Sequence, residues 1–296
     1  MNIDNKAAVF ILFGQSNAVG HGIPMEEKDK ILVPMKNVLG LTRRENQRLY
    51  NKTLYWQGYT SYEMNLAETQ DNTYSVANCL ARLWQDSIDA GKKLPDLYIV
   101  HIAIGAQGVT KKYMWNPCYP ERLVPGVLGK VDISLYSFAF RILEKIEESL
   151  KALGKTEICY SLHWRGGEED AVEQNKILSA NLKNIYSEMF DGFCKAIGRK
   201  IPIVLHRIAA HERYTDLDPS GRELENMHLI NGVFDELADQ NENISVFDVT
   251  KSPQYIPGVR CNGIFLEDAV HFTPDVNRWV AGCVLEEFTK NIRENN

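Results

Sequence analysis

The chain predicts an α/β protein built on a doubly wound, mostly parallel sheet. Three observations predict it: apolar runs of strand length recur, amphipathic helical patterns alternate with them, and the two longest irregular stretches each follow such a run. Residues 8–13 (AVFILF), 97–104 (LYIVHIAI), 157–164 (EICYSLHW) and 202–209 (PIVLHRIA) read as strands covered on both faces, and 244–249 (ISVFDV) as a weaker fifth.

The helical patterns fall between and after these runs. Val76, Leu80, Leu83, Trp84 and Ile88 keep helical spacing, as do Leu135, Phe138, Ile142, Ile146, Leu150 and Leu153. A third set is Leu178, Leu182, Ile185, Met189 and Phe193, and a fourth Ile230, Val233, Phe234 and Leu237. The last helix is expected from Pro274 to about Ile292, with Val276, Trp279, Val280, Cys283, Val284 and Phe288 on one side. Strand–helix alternation implies right-handed crossovers and an open sheet of about five strands. The irregular stretches 21–72 and 106–130 leave the carboxyl ends of predicted strands, the edge where such sheets bind ligands.

A chain of 296 residues, 44% hydrophobic, is long enough to close one large core, and no linker, repeat or low-complexity tract divides it. One domain over residues 1–296 is expected. The net charge of −6 and the lack of basic runs argue against nucleic acid or an anionic membrane surface as a partner. No stretch approaches the roughly 18–20 apolar residues of a spanning helix. The start, MNIDNKAAVFILFG, reads as a strand rather than a leader, so a cytoplasmic protein is expected, or a secreted one if a leader was removed. The six cysteines form no CxxC pair and read as free, buried thiols.

The first predicted strand ends in FGQSNAVG, residues 13–20, which puts Ser16 at a strand-to-loop turn. A serine needs a base, and the base needs an orienting group. His101, His163 and His206 lie in strands, where a satisfied core histidine is the default. His211 and His228 have no obvious partner, and no carboxylate stands beside His21 in sequence. His271 differs: it sits in EDAVHFTPD, three residues after Asp268 and just ahead of a helix start marked by Thr273, Pro274 and Asp275. A tight turn there brings Asp268 onto the ring.

These residues carry a resemblance. Gly14, Gln15, Ser16, Asn17 and Gly20 match the Gly-Gln-Ser-Asn-x-x-Gly block, and Asp268, His271 and Phe272 the Asp-x-x-His-Phe block, of the SGNH (GDSL-type) hydrolases, in particular the sialate O-acetylesterase-like carbohydrate esterases. The run Ile102–Gly105 resembles that family's glycine turn, and Trp164–Asp170 its Trp-x-Gln-Gly-Glu-x-Asp block. The resemblance runs from about residue 8 to 290. It implies a three-layer α/β/α sandwich with a flavodoxin-like sheet, Ser16 as nucleophile, His271 as base and Asp268 as its orienter. It also implies an oxyanion hole made of the Ser16 N–H, a backbone N–H near Gly105 and a side-chain amide. That amide is missing, because Gly166 stands at the family's glutamine. One lost donor costs about 2.7–4 kcal/mol of transition-state stabilisation. Gln107 is the favoured replacement, with Arg165 and the Gly166 backbone as alternatives.

Substrate contacts are expected from Gln15, Asn17, Trp115, Trp164, Arg165 and Glu168. Arg165 suits a substrate carboxylate, and the two tryptophans, before Trp56, Tyr113 and Tyr119, suit a sugar platform. Glu168 can instead brace its own block. Glu168, Glu169 and Asp170 read as acids in a first helical turn rather than a metal site or glycosidase pair. The reading is a serine esterase acting on O-acetyl groups of a carbohydrate through an acyl-enzyme, with no cofactor and no metal. Its partner is a small-molecule or glycan ester. An O-acyltransferase with the same triad and a non-catalytic carbohydrate-binding protein are the alternatives.

Overall fold

A computed structural model describes residues 3–47, 53–68, 73–120, 134–173, 179–210 and 218–294. His211, Leu178 and residues 121–130 of the 106–130 stretch lie outside them. The strands are β1 (Lys6–Gly14), β2 (Val38–Leu41), β3 (Trp56–Gly58), β4 (Asp96–Ala103), β5 (Glu157–Arg165), β6 (Ile203–His206) and β7 (Ile244–Phe247). They form one sheet of order β3-β2-β4-β1-β5-β6-β7, parallel except for the β2–β3 pair.

The sheet has seven strands where about five are expected. The two extra ones, VLGL and WQG, are short, contain glycine and lie within the 21–72 stretch, so neither shows an apolar run. The strand expected over 202–209 stops at His206.

The described helices are α1 (Ser16–Val19), α2 (Arg43–Gln47), α3 (Val76–Asp89), α4 (Leu135–Leu143), α5 (Ile146–Ala152), α6 (Glu168–Ala171), α7 (Ser179–Ile197), α8 (Arg222–Gln240) and α9 (Pro274–Glu294). α3 starts where a Ser75–Asn78 capping box satisfies its first amides. The pattern over 135–153 is split into α4 and α5 with neither glycine nor proline at the break, so the apolar spacing runs straight through it.

β1 is central and buried from Ala7 onward. Its alternate side chains supply both cores. Val9, Ile11 and Phe13 join the layer formed with α4, α7 and α8, and Ala8, Phe10 and Leu12 join the layer with α3 and α9. Each large side chain so buried contributes about 1.5–3 kcal/mol. The chain winds outward from β1 to one edge, returns at β4 beside β1, then continues at β5 on β1's other side. The carboxyl ends of β1 and β5 are therefore the crevice of the sheet. No described helix is long and apolar enough to cross a membrane. All six cysteines are free; Cys79 and Cys261 are buried, but Cys118 is exposed, against the expectation of buried thiols.

The strand histidines are core residues. His101 Nε2 donates to the Ala18 carbonyl at 3.0 Å. His163 Nδ1 lies 3.0 Å from His206 Nε2, and His163 Nε2 lies 3.0 Å from Ser161 Oγ. Burial pushes His163 down to about 3, His101 down to about 4 and His206 well below its usual value. Unfolding frees all three to take protons below pH 6.5, so their contribution is present above that pH and is lost as pH falls. Between pH 7.5 and 5.5 the loss is about 4 kcal/mol. Asp170, pushed up to about 6 by burial, offsets this by somewhat under 1 kcal/mol, because the folded carboxyl takes its proton first. Urea unfolding at the two pH values should show a net loss of about 3 kcal/mol on acidification; a flat profile would mean that these rings can charge in place.

Candidate active site

Three loops meet at the carboxyl ends of β1 and β5. The first leaves β1 at Gly14, whose φ is +145° and whose missing Cβ would overlap the Arg165 carbonyl. Only glycine lets β1 turn this close to β5. The Gln15 N–H then donates to that carbonyl at 3.0 Å, and the Trp115 Nε1–H donates to the Gly14 carbonyl at 3.0 Å. Ser16 opens α1, which closes on Gly20 with φ +87°. The Ser16 N–H heads a first helical turn, where no intrahelical carbonyl accepts it.

Asn17 ties this loop to the other two. Its Nδ2 donates to Glu168 Oε1 at 2.9 Å and to the Val270 carbonyl at 3.3 Å, and its Oδ1 accepts the Phe272 N–H at 3.2 Å. Val270 and Phe272 flank His271. The residue after Ser16 therefore fixes both neighbours of the histidine.

Asp268 builds the third loop. Its Oδ1 accepts the N–H of Val270 at 2.9 Å and of His271 at 3.0 Å, and its Oδ2 lies 2.6 Å from His271 Nδ1. Ala269 takes a φ of +54° to let the turn close. Partial burial works to raise the Asp268 carboxyl, but the His271 backbone N–H, the His271 ring and the Val270 N–H together hold it below its usual value. A carboxylate only accepts, so Nδ1 carries the proton and Nε2 keeps a lone pair, the form a general base requires.

Arg165 lies beneath the crevice, not in it. It is 3% exposed, and its Nη1 donates to the Asn17 carbonyl at 3.2 Å and to Asn277 Oδ1 on α9 at 2.9 Å. Its guanidinium stacks on Phe272, 5.0 Å from the ring centre. Burial lowers it to about 10, so it remains charged. Arg165 is a strut and not the expected clamp for a substrate carboxylate.

Other expected contacts are also internal. Trp115 and Trp164 are both 0% exposed and pack edge to face in the core, so they form no sugar platform. Trp56 packs on Tyr98 and donates to Ser149. Tyr113 donates to Glu173 at 2.9 Å, and Tyr119 is half-buried. Gln15 is buried, with its Oε1 accepting the Glu169 N–H at 3.3 Å. Asn17 is buried with its amide committed. Glu168 acts as the brace, not as a substrate contact. Residue type marked these side chains as sticky; only burial shows which way they face.

Two of the expected oxyanion residues, Gly105 and Gln107, make contacts of their own. The Gly105 N–H donates to Glu68 Oε2 at 3.0 Å, and Gln107 turns its Oε1 to the Met114 N–H at 3.1 Å. Gly166 is buried and brings no side chain.

Sequence reasoning missed the contacts of two carboxylates. Asp170 is 0% exposed, and both its oxygens accept the Val109 N–H at 3.0 Å while Oδ1 also takes the Thr110 N–H, which fixes the loop after β4. Glu68 lies 3.2 Å from His21 Nε2, so His21 has a carboxylate after all, supplied from the 21–72 stretch. Sequence spacing signals neither contact.

No family profile matches the chain, and no curated protein is significantly similar to it. Among solved structures, NanS superposes with a TM-score of 0.61 over 99% of this chain and 100% of that one, at 14% identity. The chain shares the fold of NanS. Est24, described as a carbohydrate acetylesterase from Sinorhizobium meliloti, superposes at a TM-score of 0.46 and 11% identity over 96% of this chain and 98% of that one. In this fold the serine turn, the β5 turn and the loop before α9 converge on Asn17.

Asn17→Ala removes three hydrogen bonds from a buried position and should destabilise the fold by about 2–3 kcal/mol in urea. Unchanged stability with a raised KM would instead return Asn17 to the substrate.

Proposed function

We propose that this chain is a serine esterase that removes O-acetyl groups from a carbohydrate. The observation that carries the reading is the Asp268–His271 pair, locked by Asn17 to the loop that holds Ser16. The SGNH fold supports it, and the acetyl-carbohydrate assignment follows the motif resemblance.

The steps are those of a serine esterase with these residues in these roles. His271 Nε2 takes the Ser16 hydroxyl proton as Oγ attacks the acetyl carbonyl. Asp268 holds Nδ1–H and stabilises the imidazolium. The oxyanion forms at the Ser16 N–H. Collapse expels the sugar oxygen, which takes the proton from His271, and leaves an acetyl-serine. His271 then removes a proton from water, the resulting hydroxide attacks the acetyl-serine, and acetate leaves as Ser16 regains its proton. The Gly105 amide reaches the oxyanion only after Glu68 releases it, a step worth about 2.7–4 kcal/mol if that donor is used.

Acetate release from a panel of acetylated glycans tests the reading. Ser16→Ala and His271→Ala should each lower kcat by about 10⁴-fold or more, and Asp268→Asn by roughly 10⁴-fold. Acetate release that survives Ser16→Ala would refute it.

A further inference from the structure

A second histidine–carboxylate pair faces the first, and its histidine takes no part in the steps above. His21 and His271 lie with ring centres 6.2 Å apart and planes at 75°. His21 is held on Glu68 Oε1, whose other oxygen is pinned by the Gly105 N–H. The ring lies against Gly105, where a Cβ would come within 2.5 Å of Cε1 and 2.8 Å of Nδ1. Glycine at 105 therefore makes room for this ring. The His21 side chain is still 31% exposed. It is held in place and partly exposed at once.

Glu68 decides what the ring offers. A carboxylate accepts only, so the neutral ring donates Nε2–H to Glu68 and keeps a lone pair on Nδ1. No described residue hydrogen-bonds that nitrogen.

We infer that His21 is a specificity residue that reads the alcohol side of the ester. Its Nδ1 accepts a hydrogen bond from a free substrate hydroxyl close to the acylated oxygen, and Glu68 is the positioning residue that sets the tautomer. The site thereby favours esters of polyols over esters without a neighbouring hydroxyl. This deepens the esterase reading and rests on it.

Three substrates test it: a methyl glycoside with one O-acetyl group and its other hydroxyls free, the same acetate with those hydroxyls O-methylated, and p-nitrophenyl acetate. The native protein should prefer the free-hydroxyl glycoside over its methylated counterpart by about tenfold in kcat/KM, the value of one neutral hydrogen bond. His21→Phe should bring that ratio close to one. Glu68→Gln should do the same, because a glutamine amide can donate to Nε2 and move the ring proton to Nδ1, and it decides the matter if His21→Phe fails to fold. A native ratio near one, or a ratio that survives in the folded variants, overturns the inference. Ser16-dependent hydrolysis of p-nitrophenyl acetate would in that event leave the esterase reading standing. No hydrolysis of any of the three esters takes both down.

Discussion

The side-chain amide of Asn17 holds the site together. One acceptor and two donors reach the Phe272 N–H, the Val270 carbonyl and Glu168. These belong to loops far apart in the chain, and each would otherwise pay its own ordering entropy. Because the contacts are buried, their geometry is exacting: an unmet partner costs the full desolvation penalty. Arg165 repeats the device one layer down by linking the Asn17 carbonyl to Asn277 on α9. Ser16 and His271 thus stand on short loops with little freedom of their own.

The sheet below explains why these loops meet. β1 and β5 run parallel from Lys6↔Glu157 to Gly14↔Arg165, so their turns leave at the same level. The absence of a side chain at Gly14 lets the two backbones touch there. Two polar residues near this rim are satisfied inside the protein: Asn65 bonds both backbone groups of Ala103, and Asp170 cradles the loop after β4. Rigidity at the rim comes from buried polar contacts more than from packing alone.

The strongly patterned part of the fold was legible in the chain. Runs such as AVFILF can only be buried strands, and the start of α9 at Pro274 follows from its flanking residues. β2 and β3 were not, because three or four residues with glycine carry no period. The Asp268–His271 contact was legible through local chemistry and motif: the Asp-x-x-His spacing did form a turn with the carboxylate on the ring. Trp115, Trp164, Arg165 and Asn17 were misplaced for one shared reason. Aromatic and polar side chains suit a ligand and a core equally well by type, and burial decides. The His21–Glu68 contact joins residues with nothing between them in sequence to mark it.

The central claim is that Ser16 is an activated nucleophile. A serine-directed phosphonate, followed by intact mass and peptide mapping, tests it most directly. A single adduct on Ser16 that disappears in His271→Ala is expected. No adduct on the native protein, or one on another residue, would contradict the account.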